Sequence, residues 1–283
     1  MIKNIAYFPN QCALNSRTVM EGVLDVFQAS GIQTQENSWH SDAAVIWSVL
    51  WNGRMADNQR VYNHYRSQGK PVIILDVGAL HREYTWKVSV NHITAEGYYG
   101  HRANLDQDRP RKLGVTLAER SGSRPEILIA AQHLRSEQLS GIDYEGWISQ
   151  TVQQIREHSA RSIIVRPHPR SGLDFSRLPA GVTVEPPRRI VNTYDSFDID
   201  YNFHAVVNYN SGPGIQAVIA GAPVIVDQTS LAYPVGINIK DIESPPKIDR
   251  ESWVVEICHT EYTIEEIKRG SWLSRIRPAL ENQ

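Results

Sequence analysis

The chain predicts an α/β protein folded as two halves, each a mainly parallel sheet covered by helices. Three observations carry this. Strand-length apolar runs alternate with helix-length segments, the pattern that parallel crossover connections produce. The 283 residues suffice for two domains of ordinary size. Between the halves, residues 106–124 (DQDRPRKLGVTLAERSGSR) are polar, charged and without periodicity.

In the first half, residues 2–8 (IKNIAYF), 43–49 (AAVIWSV) and 71–76 (PVIILD) read as strands, because parallel strands buried on both faces appear as short apolar runs. Helices are expected around residues 16–30 and 55–68. The second stops at Gly69, and Pro71 opens the next strand. A new cycle begins with strand 126–130, continues through helix 144–158 and strand 162–165, and closes with strands 182–184, 205–209 and 223–227. Between the last two lies a Ser-Gly-Pro-Gly turn, from which a helix is expected to open at Ile215 and stop at Gly221. The boundary falls near residues 115–124, giving domains of residues 1–118 and 119–260 and a tail of 261–283. Two such halves are expected to enclose a cleft, with ligands at the carboxyl ends of the strands.

Composition sets limits on function. The chain is 41% hydrophobic and 21% charged with a formal net charge of -2, so no global electrostatic attraction to nucleic acid exists, although a local basic patch is compatible with it. Cys12 and Cys258 fit no metal-ligand spacing and read as idle thiols of a reducing cytosol. The first residues lack a leader pattern, and no apolar run approaches the ~20 residues that cross a bilayer. A cytoplasmic protein without a membrane partner is expected.

Four stretches following strands could carry chemistry. Arg166-Pro167-His168-Pro169-Arg170 is stiffened by two prolines and offers His168 with the forked donors of Arg166 and Arg170, which suit phosphate oxygens. Ser211-Gly212-Pro213-Gly214 hands a strand over to a helix, where free N–H groups and the helix dipole favour an anion. Asp76 ends the third strand, where a carboxylate can deprotonate a hydroxyl; His81 and Glu83 are rivals for that role, and a plain turn former is the alternative. Gln132 follows strand 126–130 and suits sugar, base or phosphate. His81, Arg82, Asn91 and His92 are candidates for the acceptor side. No histidine, cysteine and carboxylate spacing points to a metal, and the seven tryptophans are read as core residues.

With those loops placed, the chain resembles the GT-B glycosyltransferases, which have two Rossmann-like domains. It is most similar to the capsular-polysaccharide and Kdo transferase group and to related glycosyltransferase-like proteins of tailed phages. The likeness rests on Asp76-Val77-Gly78-Ala79-Leu80-His81-Arg82, on the Arg-Pro-His-Pro loop, and on SGPGIQAVIAGAPVIV from Ser211, where Gln216 replaces the glutamate common in the group. The segment Trp253–Trp272, ending TIEEIKRGSW, resembles a C-terminal helix that crosses back to the first domain. The resemblance implies a nucleotide-sugar donor, most simply a UDP-sugar, whose phosphates meet His168 and the Ser211–Gly214 turn, with Asp76 as the base. It requires no metal or other cofactor, because helix dipole and arginines can stabilise the leaving diphosphate.

The favoured acceptor is a 5-hydroxymethylated base in double-stranded phage DNA, flipped from the duplex. Arg102, Arg109, Arg111, Lys112, Arg120 and Arg124 would form a stripe along its backbone. A glycan acceptor, a nucleotide-sugar 2-epimerase and a non-catalytic nucleotide-sugar-binding protein are the competing readings.

Overall fold

The computed structural model describes residues 2–14, 16–120, 124–191 and 197–281. Of the expected junction, residues 121–123 lie outside the described residues. In chain order the elements are β1 (Asn4–Tyr7), α1 (Arg17–Ala29), β2 (Gln33–Glu36), β3 (Ala43–Trp47), α2 (Asn58–Ser67), β4 (Val72–Val77), β5 (Trp86–Val90) and the single turn α3 (Arg109–Lys112). There follow β6 (Arg124–Ala130), α4 (Tyr144–His158), β7 (Ile163–Arg166), β8 (Val182–Val184), β9 (Arg188–Arg189), β10 (Phe197–Asp198), β11 (Phe203–Asn208), α5 (Gly212–Ile219) and β12 (Val224–Val226). The chain continues through α6 (Glu251–Cys258), β13 (Glu261–Tyr262), α7 (Ile264–Arg269) and α8 (Leu273–Glu281).

These elements form two compact units, Met1–Arg109 with Val255–Gln283, and Pro110–Val254. The changeovers at 109/110 and 254/255 compare with 118/119 and 260/261 in the sequence reading. Hydrogen bonds explain the first: Ala118 N donates to Ile219 O at 2.8 Å, and Arg250 donates to Val218 O and Ala118 O at 2.7 and 2.8 Å. Residues just after 109 are thereby fastened to α5, inside the second unit.

The sheet of unit 1 runs β13-β5-β4-β3-β1-β2. Strands β2, β1, β3 and β4 are parallel, whereas β5 and β13 are antiparallel to their neighbours. Helix α1 buries Val19, Met20, Val23 and Phe27, a stripe at helical spacing, against Ile5, Val45, Ile73 and Val88 of the sheet. The tail completes this core with Tyr262, Ile267, Trp272, Leu273, Ile276 and Leu280, and Trp272 packs edge-on to Phe27 at 5.2 Å. The opposite face packs Ile46 and Ile74 against Val61, Tyr62 and Tyr65 of α2. Where a single C-terminal helix is expected over residues 261–283, the chain forms a short strand, β13, and two helices, α7 and α8. A capping box, with Thr263 and Glu266 exchanging side-chain and backbone bonds, starts α7 afresh.

Unit 2 has an all-parallel sheet, β12-β11-β6-β7-β8, with β9 and β10 as a separate antiparallel pair. Helix α4 starts at Asp143, whose carboxylate accepts from Gly146 N, and buries Tyr144, Ile148, Val152 and Ile155 on Ile127, Ile129, Val165 and Val207. Among the described residues, no helix is long and apolar enough to cross a membrane.

Candidate functional site

In unit 2 the strands run parallel, so their carboxyl ends lie along one edge: β12, β11, β6 and β7 in that order. Helix α5 starts directly at the end of β11, with Ser211 as its N-cap and Pro213 in its first turn, where a missing N–H costs nothing. It opens at Gly212, three residues before the expected start, so the glycines belong to the helix. A Cβ on Gly214 would lie 3.2 Å from Val226 Cγ1 and 3.4 Å from Asn208 Oδ1, which explains the need for close packing there. Gly214 N donates to Ser211 O at 3.1 Å, Ser211 N donates to Asn208 Oδ1 and Pro213 has no N–H, so Gly212 carries the N–H of this turn that these bonds do not use.

Side-chain amides lace these strand ends together. Gln132 Nε2 donates to Asn210 Oδ1 at 3.1 Å, and Asn210 N donates back to Gln132 Oε1 at 3.2 Å. Asn210 Nδ2 donates to Thr229 Oγ1 at 2.9 Å, reaching the loop after β12. Asn208 Nδ2 donates to Ala130 O and Ser211 Oγ, while its Oδ1 accepts from Ser211 N at 2.8 Å. Buried Gln132 therefore holds the loops in place. Asn208, Asn210 and Thr229 do the same, and sequence reasoning had passed over them although the Asn-Tyr-Asn-Ser run after a strand was a visible signal.

His168 stands half-buried after β7, with exposed Arg170 beside it; His168 Nδ1 accepts from Arg170 N at 3.2 Å. Its ring lies 5.1 Å from that of buried His133, edge to face. Burial is the main cause of a depressed His133 pKa, assisted by Arg170 and Arg135, so this ring is neutral at pH 7. The dipole of α5 and the two exposed arginines give the edge a positive character.

Arg166 is not part of that group. It is 7% exposed, donates to Asp200 O at 2.7 Å, pairs with Glu185 at 3.4 Å and lies over the Phe203 ring. Arg124 binds the same Glu185, at 2.9 Å, and stacks on the same ring at 4.2 Å.

In unit 1, Asp76 lies near the carboxyl end of β4. Its Oδ1 accepts from Val77 N at 2.7 Å and its Oδ2 from Ser48 Oγ at 3.2 Å. It stands opposite Lys87 of β5, which stands opposite Glu261 of β13. Residues opposite one another share a face, so carboxylate, ammonium and carboxylate form a cross-strand row. Lys87 is 6% exposed and Glu261 wholly buried. Glu261 accepts from Ala79 N at 2.7 Å, Leu80 N at 3.1 Å and Thr85 Oγ1 at 2.8 Å, which clamps residues 78–85 at the strand end. That loop displays His81, Arg82, Glu83 and Tyr84 as exposed side chains. Tyr99 has its pKa raised well above the phenol value by burial first and then by the Glu261 and Asp76 charges, so it stays protonated beside them.

Asn91 and His92 are not brought to Asp76. Asn91 N donates to Val72 O at 2.7 Å and Asn91 Oδ1 accepts from Val72 N at 3.0 Å, at the amino end of β4. Four residues of strand, about 13 Å, separate that point from Asp76. The DNA stripe is likewise reduced: Arg109 is 8% exposed and bound to Glu266 at 2.6 Å, Arg102 pairs with Glu256 at 3.4 Å, and Arg124 is held by Glu185. Among the described residues, no group of three or more histidine, cysteine or carboxylate side chains is gathered as a metal would require.

No protein-family model and no curated protein matches the sequence. Solved structures do. KpsC, beta Kdo 2,4 transferase, from Thermosulfurimonas dismutans is 13% identical, with a TM-score of 0.54 over 95% of this chain and 98% of that chain. KpsC, beta Kdo 2,7 transferase, from the same organism is 14% identical, with a TM-score of 0.52 over 95% and 99%. At these identities the likeness is one of fold, and that fold is GT-B-like: two Rossmann-like α/β units.

Proposed function

We propose that the protein is a glycosyltransferase that moves a sugar from a nucleotide-sugar donor to a hydroxyl acceptor. One observation supports this above the others: the Ser211 turn opening α5 and the His168–Arg170 loop follow the carboxyl ends of β11 and β7, which flank β6 in one parallel sheet, on a fold shared with two Kdo transferases. Unit 2 is the donor side. The Gly212 N–H and the positive end of the α5 dipole, with His168 and Arg170, stabilise the phosphate as it leaves. In the transfer, an acceptor oxygen bonds to the anomeric carbon, the bond from that carbon to the donor phosphate oxygen breaks, and the acceptor proton passes to a base. Asp76 of unit 1 is the residue we assign as base, with Ser48 and the Glu261-clamped loop holding its surroundings.

A UDP-sugar is the simplest donor. For the acceptor we favour a glycan hydroxyl over a hydroxymethylated DNA base, because Arg102, Arg109 and Arg124 are each committed to a carboxylate. A thermal-shift screen with UDP, GDP, CDP, CMP and their sugar conjugates tests the donor side. A ligand present at a hundred times its Kd stabilises the native state by about 2.7 kcal/mol, an easily measured shift. No response to any of them would defeat the proposal. Turnover against glycan and hydroxymethylcytosine DNA then separates the acceptors, and Asp76→Asn with undiminished turnover would remove Asp76 from its role.

A further inference from the structure

The two histidines at the ends of β6 and β7 are locked in the same way. Arg135 N donates to His133 Nδ1 at 3.1 Å, and Arg170 N donates to His168 Nδ1 at 3.2 Å. A ring nitrogen that accepts carries no proton, so each neutral ring bears its hydrogen on Nε2. The parallel register, with Ala130 opposite Arg166, sets the rings side by side at 5.1 Å and 71°. His133 is 6% exposed, and its Nε2 is buried with no partner at hydrogen-bond geometry among the described residues, the Arg170 backbone acting on the ring only weakly. Native folds keep few such groups, and a donor fixed in place by its own turn asks for an acceptor from outside the protein. The nearby charges are of one sign: exposed Arg135 and Arg170 flank the pair, and both act on His133. An anionic oxygen is the acceptor that meets all of these features.

We infer that His133 is a second phosphate ligand of unit 2, so that His133 and His168 form a paired imidazole clamp, each giving an Nε2–H to a phosphate of the bound nucleotide. This rests on the reading of unit 2 as the donor side. It adds a specificity element, since two directed donors reward a phosphate group and nothing else in the nucleotide.

The test compares wild type with His133→Asn by titration calorimetry with UDP, GDP, CDP and CMP. Asparagine keeps an oxygen where Nδ1 accepts from Arg135 N, the ordinary turn made by that residue, and deletes the Nε2–H. A lost hydrogen bond to a charged group corresponds to about ten- to a hundredfold weaker binding. That loss, with the unliganded melting temperature unchanged, is the expected result. Wild type that binds nucleotide and a variant within twofold of it would overturn the clamp while leaving the donor reading intact. Wild type that binds none of the four nucleotides would overturn both. Should the variant fail to fold, nitrogen NMR of wild type decides: the His133 Nε2 resonance must move when the nucleotide is added, and an unmoved signal refutes the clamp.

Discussion

Replacing Glu261 tests the polar row of unit 1 most directly. Its Oε1 accepts from Ala79 N, and its Oε2 accepts from Leu80 N and Thr85 Oγ1. In Glu261→Gln one oxygen becomes an NH2 group that can only donate. Whichever way the amide is turned, one backbone N–H meets a donor, while Thr85 Oγ1 retains His81 O as its acceptor at 3.1 Å. One orphaned buried donor costs about 1–3 kcal/mol. Glu261→Ala orphans both backbone groups and costs about 2–6 kcal/mol, a large part of the 5–15 kcal/mol that holds a domain together. At about 2–4 °C per kcal/mol, the glutamine variant melts about 2–12 °C lower. Calorimetry supplies that number, and hydrogen exchange supplies its location: amides 79 and 80 lose protection while unit 2 keeps its own. A glutamine variant that melts within about 1 °C of the parent, or unaltered exchange at those two amides, would refute the clamp.

Three other perturbations have defined outcomes. Burial depresses the pKa of His133, His204 and His259 below the ordinary 6.5, so each ring is neutral in the fold and charges more readily when unfolded. Their contribution is complete above pH 6.5 and is lost on acidification, at up to about 1.4 kcal/mol per pH unit for each; the melting temperature should be level from pH 8 to 7 and fall below pH 6.5. Gly221 has φ +86° and a Cβ there would lie 2.6 Å from Glu119 O, so Gly221→Ala costs about 1–3 kcal/mol in a denaturant titration. Arg109 bridges Cys258 O, Glu261 O and both oxygens of Glu266; Arg109→Lys keeps the charge but not the fork, and loses at least about 1.5–3 kcal/mol by the same measurement.

What could be read from the chain follows from burial. Strands β3, β4, β6, β7 and β11 have continuous apolar runs because both faces are covered, and all five were legible. Strand β2 (QTQE) lies at the sheet edge with three of its four residues exposed, so no apolar signal marks it. Strand β5 hid behind Lys87, whose buried ammonium interrupts the pattern. In the candidate site the sequence marks the loops that follow the strands, but not the direction of their side chains. Arg166 is a strand residue whose side chain goes to Glu185 and Phe203, whereas His168 two residues on stays beside His133. His133 belongs to no motif, and Glu261 reaches Ala79 across 182 positions, a partnership that no local pattern announces.

The discontinuous makeup of unit 1 imposes an order on biosynthesis. Unit 2 is one uninterrupted stretch, Pro110–Val254, and can close as soon as it has been translated. Unit 1 is begun first yet waits for the last residues, because Trp272, Ile276 and Leu280 fill its core and β13 covers the edge of β5. The usual sequence, in which the amino-terminal domain is finished first, is therefore reversed. Translation that stops shortly after residue 258 would release a completed unit 2 joined to a unit 1 with Phe27 and Val88 bared and an open sheet edge, a product suited to chaperone capture and aggregation.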